Sequence, residues 1–245
     1  MFNMFIPSFV FAFTPQHRGG SRIFLDTADT TEWADLLTTG IFHGVTTNPT
    51  LLERAGEPCT IENLHQLAAK ALGHVSCNEF MCQAWGQKAT DLYNCGKALA
   101  APNKDQIVVK VPLTRQGIEA ATMLVGDNIR VCLTACYNSK QALIASSVGA
   151  EYIAPYLGRM TDAGKDGLQE CIKMKQIADG LQSTTRILVA SLRDCDTVAD
   201  LAATGLETFT IAPQIARQLL EEPLTNEAAD VFEGAAKNNG AGSDS

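Results

Sequence analysis

Positive charge is scarce in this 245-residue sequence, where 19 Lys and Arg face 27 Asp and Glu for a formal net charge of −8. The basic residues are scattered rather than clustered, so the sequence lacks the basic patch that a nucleic-acid partner requires. Paired cysteine spacing is missing as well. The eight cysteines include no C-x-x-C and read as reduced core residues of an intracellular protein, not as a disulfide framework. His17, His43, His65 and His74 form no H-x-H or H-E-x-x-H, which disfavours zinc chemistry, and no metal is expected. Ser191 has no G-x-S-x-G around it, which leaves a Ser/His/Asp hydrolase without support. The apolar stretch at the N-terminus runs for only roughly ten residues, too short to cross a bilayer, and no membrane partner is expected.

What is present is a chain long and apolar enough, at 46% hydrophobic residues, to bury the core of one large α/β domain. Residues 1–22 differ in character from the rest, holding five of the ten phenylalanines, and lack the basic start of a secretory signal. They read as an N-terminal extension or a targeting leader; Phe11-Ala12-Phe13-Thr14-Pro15 resembles the cleavage region of plastid-targeting leaders. A cytoplasmic location is expected, or a plastid one if the segment is a leader.

From Ile23 onward, short β-rich runs alternate with helical patterns. Candidate strands are Ile23–Asp26, Gly44–Thr47, Asn78–Gln83, Ile107–Val111, Arg130–Ala135, Tyr152–Tyr156, Arg186–Ser191 and Thr208–Ala212. Between them lie amphipathic stretches such as Thr60–Leu72, with Leu64, Leu67, Ala68 and Ala71 on one face, and Asp194–Ala203, opened by a capping Asp194. Eight β-then-α units of roughly 25 residues each suit a (β/α)8 TIM barrel over residues 23–222, followed by an extra C-terminal helix and a polar tail in 223–245. An open doubly wound sheet is the alternative, but the Gly-rich fingerprint expected after its first strand is missing, and no cofactor is expected.

Barrels place functional groups at the C-terminal ends of their strands, and the polar residues of this sequence fall there. Asp26 closes the first candidate strand, Thr46 and Asn48 the second, Gln83 the third and Thr134 the fifth. Tyr156 and Arg159 follow the sixth, and Ser191 and Arg193 the seventh. Lys110 is the unusual one, standing inside the apolar run Ile107-Val108-Val109-Lys110-Val111-Pro112. A buried ammonium is costly without a partner, and a neutral desolvated amine is the nucleophile that Schiff-base chemistry on carbonyls needs. The competing reading is a lysine at a strand end with its head group in solvent.

The runs Leu25-Asp26-Thr27-Ala28-Asp29, Gly44-Val45-Thr46-Thr47-Asn48-Pro49-Thr50, Val109-Lys110-Val111-Pro112 and Glu151-Tyr152-Ile153-Ala154-Pro155-Tyr156-Leu157-Gly158-Arg159 resemble those of the short transaldolases and fructose-6-phosphate aldolases, in order and spacing, over about Ile23 to Leu220. The resemblance implies a class I aldolase barrel that takes sugar phosphates, with Lys110 as the Schiff-base lysine and Asp26 as acid/base. Gln83, Thr134 and Tyr156 would be the water-holding set. Thr46, Asn48 and Ala154 would face the substrate, while Arg159, Ser191 and Arg193 would hold its phosphate. Glu79 is a nearby competitor for the Gln83 role.

Transaldolases proper carry Glu and Phe where this sequence has Gln83 and Tyr156, so the pair is similar to that of the aldolases. Arg193 departs from some of those aldolases, which have lysine there, and is more transaldolase-like. The expectation is therefore fructose 6-phosphate cleavage to dihydroxyacetone and glyceraldehyde 3-phosphate. The alternatives are transfer of the dihydroxyacetone unit between sugar phosphates, in the pentose phosphate pathway, and a barrel that binds sugar phosphates without chemistry. Cys132 and Cys136 flank Thr134 and read as small core residues.

In the resembling family a C-terminal helix packs on a neighbouring subunit, which implies a homo-oligomer through the helix Asn226–Ala236. Size-exclusion chromatography with light scattering should return a multiple of the 26.3 kDa chain mass. A monomeric mass would refute that expectation.

Overall fold

A computed structural model of the protein describes residues 20–241. Eight parallel strands, β1 (Arg22–Asp26), β2 (Phe42–Thr46), β3 (Glu79–Gln83), β4 (Ile107–Pro112), β5 (Val131–Cys136), β6 (Tyr152–Pro155), β7 (Arg186–Val189) and β8 (Thr208–Ile211), close in sequence order into a barrel. The seam is the parallel pairing of β1 with β8. Around it run α1 (Thr30–Leu36), α2 (Pro49–Ala55), α3 (Ile61–Leu72), α4 (Ala89–Ala100), α5 (Arg115–Gly126), α6 (Lys140–Val148), α7 (Leu157–Asp162), α8 (Gly167–Gly180), α9 (Cys195–Ala203), α10 (Pro213–Leu220) and α11 (Pro223–Asn238). No helix among the described residues is long and apolar enough to cross a membrane.

Each candidate strand has its counterpart, shifted by a residue or two at the ends. The two helices read from their faces and caps are also present. Thr60 accepts a hydrogen bond from the Asn63 amide at the start of α3, and Asp194 one from the Thr197 amide at the start of α9. The face Leu64, Leu67, Ala68 and Ala71 is the buried one. Three boundaries differ. Arg22, assigned by composition to the N-terminal extension, opens β1, because its guanidinium reaches into the foot of the barrel. Asn238, expected in the tail, ends α11, and that helix starts earlier than expected, at Pro223. The extension or leader reading falls on residues 1–19, outside the described residues, as does the end of the tail.

Successive side chains of a strand face opposite ways, so each strand sorts its residues into an outer and an inner row. The outer row, including Leu25, Val45, Phe80, Val109, Leu133, Ile153, Val189 and Phe209, joins the helices in the main core. The inner row builds the barrel interior in layers. Its middle layer, Phe24, Met81, Val108, Cys132, Tyr152, Ala154 and Leu188, forms a second apolar cluster that plugs the barrel. Two residues toward the C-terminus of most of these lie the polar groups Asp26, Gln83, Lys110, Thr134 and Tyr156. Two residues toward the N-terminus lie Arg22, Glu79, Arg130 and Arg186.

Within that lower layer Arg186 pairs with Glu207, while Arg22 and Arg130 join an ion network centred on Glu79, which is buried. Arg130 reaches it at 2.7 Å, His43 Nε2 at 3.1 Å and Arg22 at 3.2 Å, while the Tyr152 hydroxyl donates to its other oxygen at 2.8 Å. A Cβ on Gly44 would lie 2.1 Å from the Glu79 carbonyl oxygen, so β2 approaches β3 this closely only with glycine there. Burial is the largest influence on the Glu79 carboxyl and pushes its pKa up. The hydrogen bond from His43 and the charge of Arg130 oppose it and, with the remaining contacts, hold the group at about 2 against an ordinary 4.5. The network occupies the floor of the barrel, which removes Glu79 as a competitor for the Gln83 position at the mouth.

Because the folded value lies below the unfolded one, the stabilisation from Glu79 is complete above about pH 4.5 and disappears as pH falls toward 2. The depression corresponds to about 3 kcal/mol. Glu79→Gln should lower stability at neutral pH and flatten its decline between those two pH values in urea titrations. An unchanged acid profile would show that the network is not linked to folding.

Candidate active site

At the C-terminal ends of the strands, above the apolar plug, lies a cavity of about 390 Å³. Lys110 lines it from β4 and is only 3% exposed, so its side chain turns inward to the barrel instead of snorkelling to outer solvent. The strand register sets Gln83 of β3 directly beside it. No carboxylate among the described residues pairs with the Lys110 amine. An amine enclosed in this way, facing a cavity and free of a counter-ion, is available to attack a carbonyl.

Asp26 lines the cavity from the end of β1, and its orientation is set from beneath. Thr46 Oγ1 donates to Asp26 Oδ1 at 2.6 Å and lies 2.5 Å from Thr210 Oγ1. A threonine has one hydroxyl proton, so with Thr46 donating to Asp26, Thr210 donates to Thr46. The relay crosses β8, β1 and β2 and fixes which face of the carboxylate meets the cavity. Asn48 lines the cavity while its Oδ1 caps α2, accepting from the Leu51 amide at 3.1 Å. That leaves its NH2 as the group open to a ligand hydroxyl.

On the opposite wall, the Tyr156 hydroxyl lies 3.0 Å from Thr134 Oγ1. Its ring packs edge-on to Tyr137 at 5.8 Å and carries the Arg159 guanidinium 5.3 Å from its centroid. Ala154 and Ser191 complete this side. Ser191 has φ of 60° and Ala135, also on the cavity wall, 58°; neither is glycine, and such backbone costs roughly 1–2 kcal/mol per residue. Gly158 makes the tight approach between β7 and α7 feasible: its amide donates to the Ser191 carbonyl at 3.0 Å, and a Cβ there would sit 2.4 Å from that oxygen.

The structure therefore brings Asp26, Asn48, Gln83, Lys110, Ala154, Tyr156, Arg159 and Ser191 together in the lining of one cavity. Three expected residues do not reach it. Thr46 is fully buried and serves Asp26, not a ligand. Thr134 is buried behind Tyr156. Arg193 is absent from the cavity lining, and Asp162 holds its guanidinium in an ion pair. Arg54, Tyr137 and Thr210 line the cavity and were not anticipated. Thr210 was findable, since it faces inward near the end of its strand, whereas Arg54 comes from a helix and Tyr137 from a loop with no strand parity to reveal them.

Cys132 and Cys136 are buried away from the cavity lining, and burial pushes the Cys132 thiol up to about 12 and the Cys136 thiol well above its ordinary value. Such thiols are inert. Among the described residues, no cluster of three or more His, Cys, Asp or Glu stands ready to hold a metal ion.

The fold and the polar groups converging on its mouth define a barrel enzyme. A solved structure of an arginine-to-lysine mutant of flavocytochrome b2 shares the fold at a TM-score of 0.54 and 10% identity, over 80% of this chain and 57% of that one. Sequence comparison is more specific. Residues 23–243 match the Transaldolase/Fructose-6-phosphate aldolase family. Probable transaldolases of Hyphomonas neptunium and Caulobacter vibrioides are 36% and 37% identical to the chain, over 89% and 86% of it and 98% and 94% of their own lengths. The chain belongs to this family and is an enzyme of the aldolase/transaldolase type.

Thr46→Val removes the donor to Asp26 while keeping shape and burial. It should lower turnover roughly tenfold with little change in melting temperature, the cost of one charge-assisted hydrogen bond. Equal turnover in the variant would mean that the relay does not orient Asp26.

Proposed function

We propose that this chain is a Schiff-base aldolase that cleaves fructose 6-phosphate reversibly to dihydroxyacetone and glyceraldehyde 3-phosphate. The observation that carries the reading is the enclosed Lys110 in one cavity with Gln83, Tyr156 and Asp26. The neutral amine of Lys110 adds to the C2 carbonyl, and loss of water gives an iminium that withdraws electrons from C3. Asp26 takes the proton of the C4 hydroxyl as the C3–C4 bond breaks, releasing the aldehyde and leaving an enamine. Protonation at C3 and addition of water at C2 then return dihydroxyacetone and the free amine. The Gln83 amide and the Tyr156 hydroxyl, which Thr134 holds from behind, are the groups suited to hold that water. The exposed Leu224, Val231 and Phe232 of α11 fit an assembly of like subunits.

The second reading, transfer of the dihydroxyacetone unit to another sugar phosphate, is favoured by the relatives named as probable transaldolases. In that case the enamine on Lys110 waits for an aldose phosphate in place of a proton and water.

Borohydride added with dihydroxyacetone should fix a covalent adduct on Lys110, located by peptide mass spectrometry, and no adduct there ends both readings. Incubating fructose 6-phosphate with and without erythrose 4-phosphate separates them. Dihydroxyacetone released without acceptor supports the aldolase, whereas strict acceptor dependence assigns the transferase.

A further inference from the structure

Eight arginines lie in the described residues, and six of them are paired with carboxylates. The two that pair with none, Arg54 and Arg159, both line the cavity. The charged side chains of that lining are Arg54, Arg159 and Lys110 against the single carboxylate of Asp26, in a chain whose net charge is −8. A positive cavity in an acidic protein, with its guanidiniums paired to no carboxylate, is built for an anion.

We propose that Arg54 is a specificity-determining residue that meets the phosphate of the aldehyde half of the substrate, together with Arg159. The assignment rests on the aldol reading above, which puts the carbonyl end of the sugar on Lys110 and its phosphate at the far end of the cavity. Arg54 comes to the site from the last turn of α2. Side chains on a helix lean toward its N-terminus, and the N-cap of α2 is Asn48, itself on the cavity wall. The six-position step from Asn48 to Arg54 corresponds to about 9 Å of rise, a distance that a long arginine side chain leaning back largely covers. Arg193, the rim cation nearest in type, is held by Asp162 and does not line the cavity. Arg54 supplies a second guanidinium from the β2 side, so that the phosphate is gripped between two elements on different parts of the barrel mouth. Phosphate is well matched to this arrangement, because guanidinium donors pair with its oxygens in a planar fork.

The test is carried out on the full chain in the synthetic direction, with dihydroxyacetone as donor and either glyceraldehyde 3-phosphate or unphosphorylated glyceraldehyde as acceptor. Arg54→Ala should lose roughly 10- to 100-fold in kcat/KM for the phosphorylated acceptor, mostly through KM, the scale of one charged hydrogen-bonded contact. Glyceraldehyde should be used at an unchanged rate, and Arg54→Lys should recover part of the loss. An equal change for both acceptors, or none for either, overturns the proposal. Binding of inorganic phosphate, followed by calorimetry, reads the contact without turnover: it should weaken in Arg54→Ala, and equal binding by both proteins, or none by the parent, also overturns it. Failure to trap dihydroxyacetone on Lys110 in the parent protein would instead remove the aldol reading, with the phosphate measurement still deciding whether Arg54 is an anion contact.

Discussion

The alternation of side chains along eight parallel strands organises the rest of this molecule. Closing the sheet gives every strand an inside and an outside, and the period of two then stacks three kinds of residue on one axis. Phe24, Met81, Val108, Cys132 and Leu188 occupy the middle as an apolar plug. Displaced by two residues in one direction, Arg22, Glu79 and Arg130 meet at the foot. Displaced by two in the other, Asp26, Gln83, Lys110 and Thr134 converge at the mouth. Lys110 is tolerated in a run of β-branched residues because the plug lies below it and the cavity opens above it. A shift of register by one residue would turn the amine into the helix layer, where nothing is available to solvate it.

Around the mouth, much of the structure serves orientation. Thr46 and Thr210 are buried hydroxyls whose role is to hold Asp26. Thr134 stands in the same relation to Tyr156, and the stacked Arg159 and the edge of Tyr137 limit where the phenol can turn. The left-handed backbone at Ala135 and Ser191, and the close approach allowed by Gly158, are local costs borne at the cavity wall, where strained backbone in a rigid scaffold is commonly found. The foot of the barrel behaves oppositely. Its charges are paired with one another and contribute to folding rather than to ligand capture.

The strand pattern was legible because β-rich runs and polar strand ends recur with barrel spacing, and the helix starts at Thr60 and Asp194 because capping is local chemistry. The position of Lys110 in the fourth strand and its partners Asp26, Gln83 and Tyr156 followed from strand order together with the family likeness. Distinctions between neighbouring residues were harder to draw. Thr46 and Asn48 sit two apart at one strand end, yet the first turns under Asp26 while the second caps α2 at the cavity. Arg193 has the residue type expected for a phosphate contact but is engaged by Asp162, 31 residues earlier in the chain.

Amino-acid order alone was enough to define the barrel, its strands to within a residue or two, and the buried lysine, because these depend on periodicity and composition that each segment carries by itself. Which cations remain free was settled by the folded arrangement. Whether an arginine meets a carboxylate or a cavity depends on what other segments bring beside it. Arg22 and Arg130 were drawn into the Glu79 network and Arg193 into an ion pair at the rim, while Arg54, carried by a helix outside the strand alternation, was left facing the site.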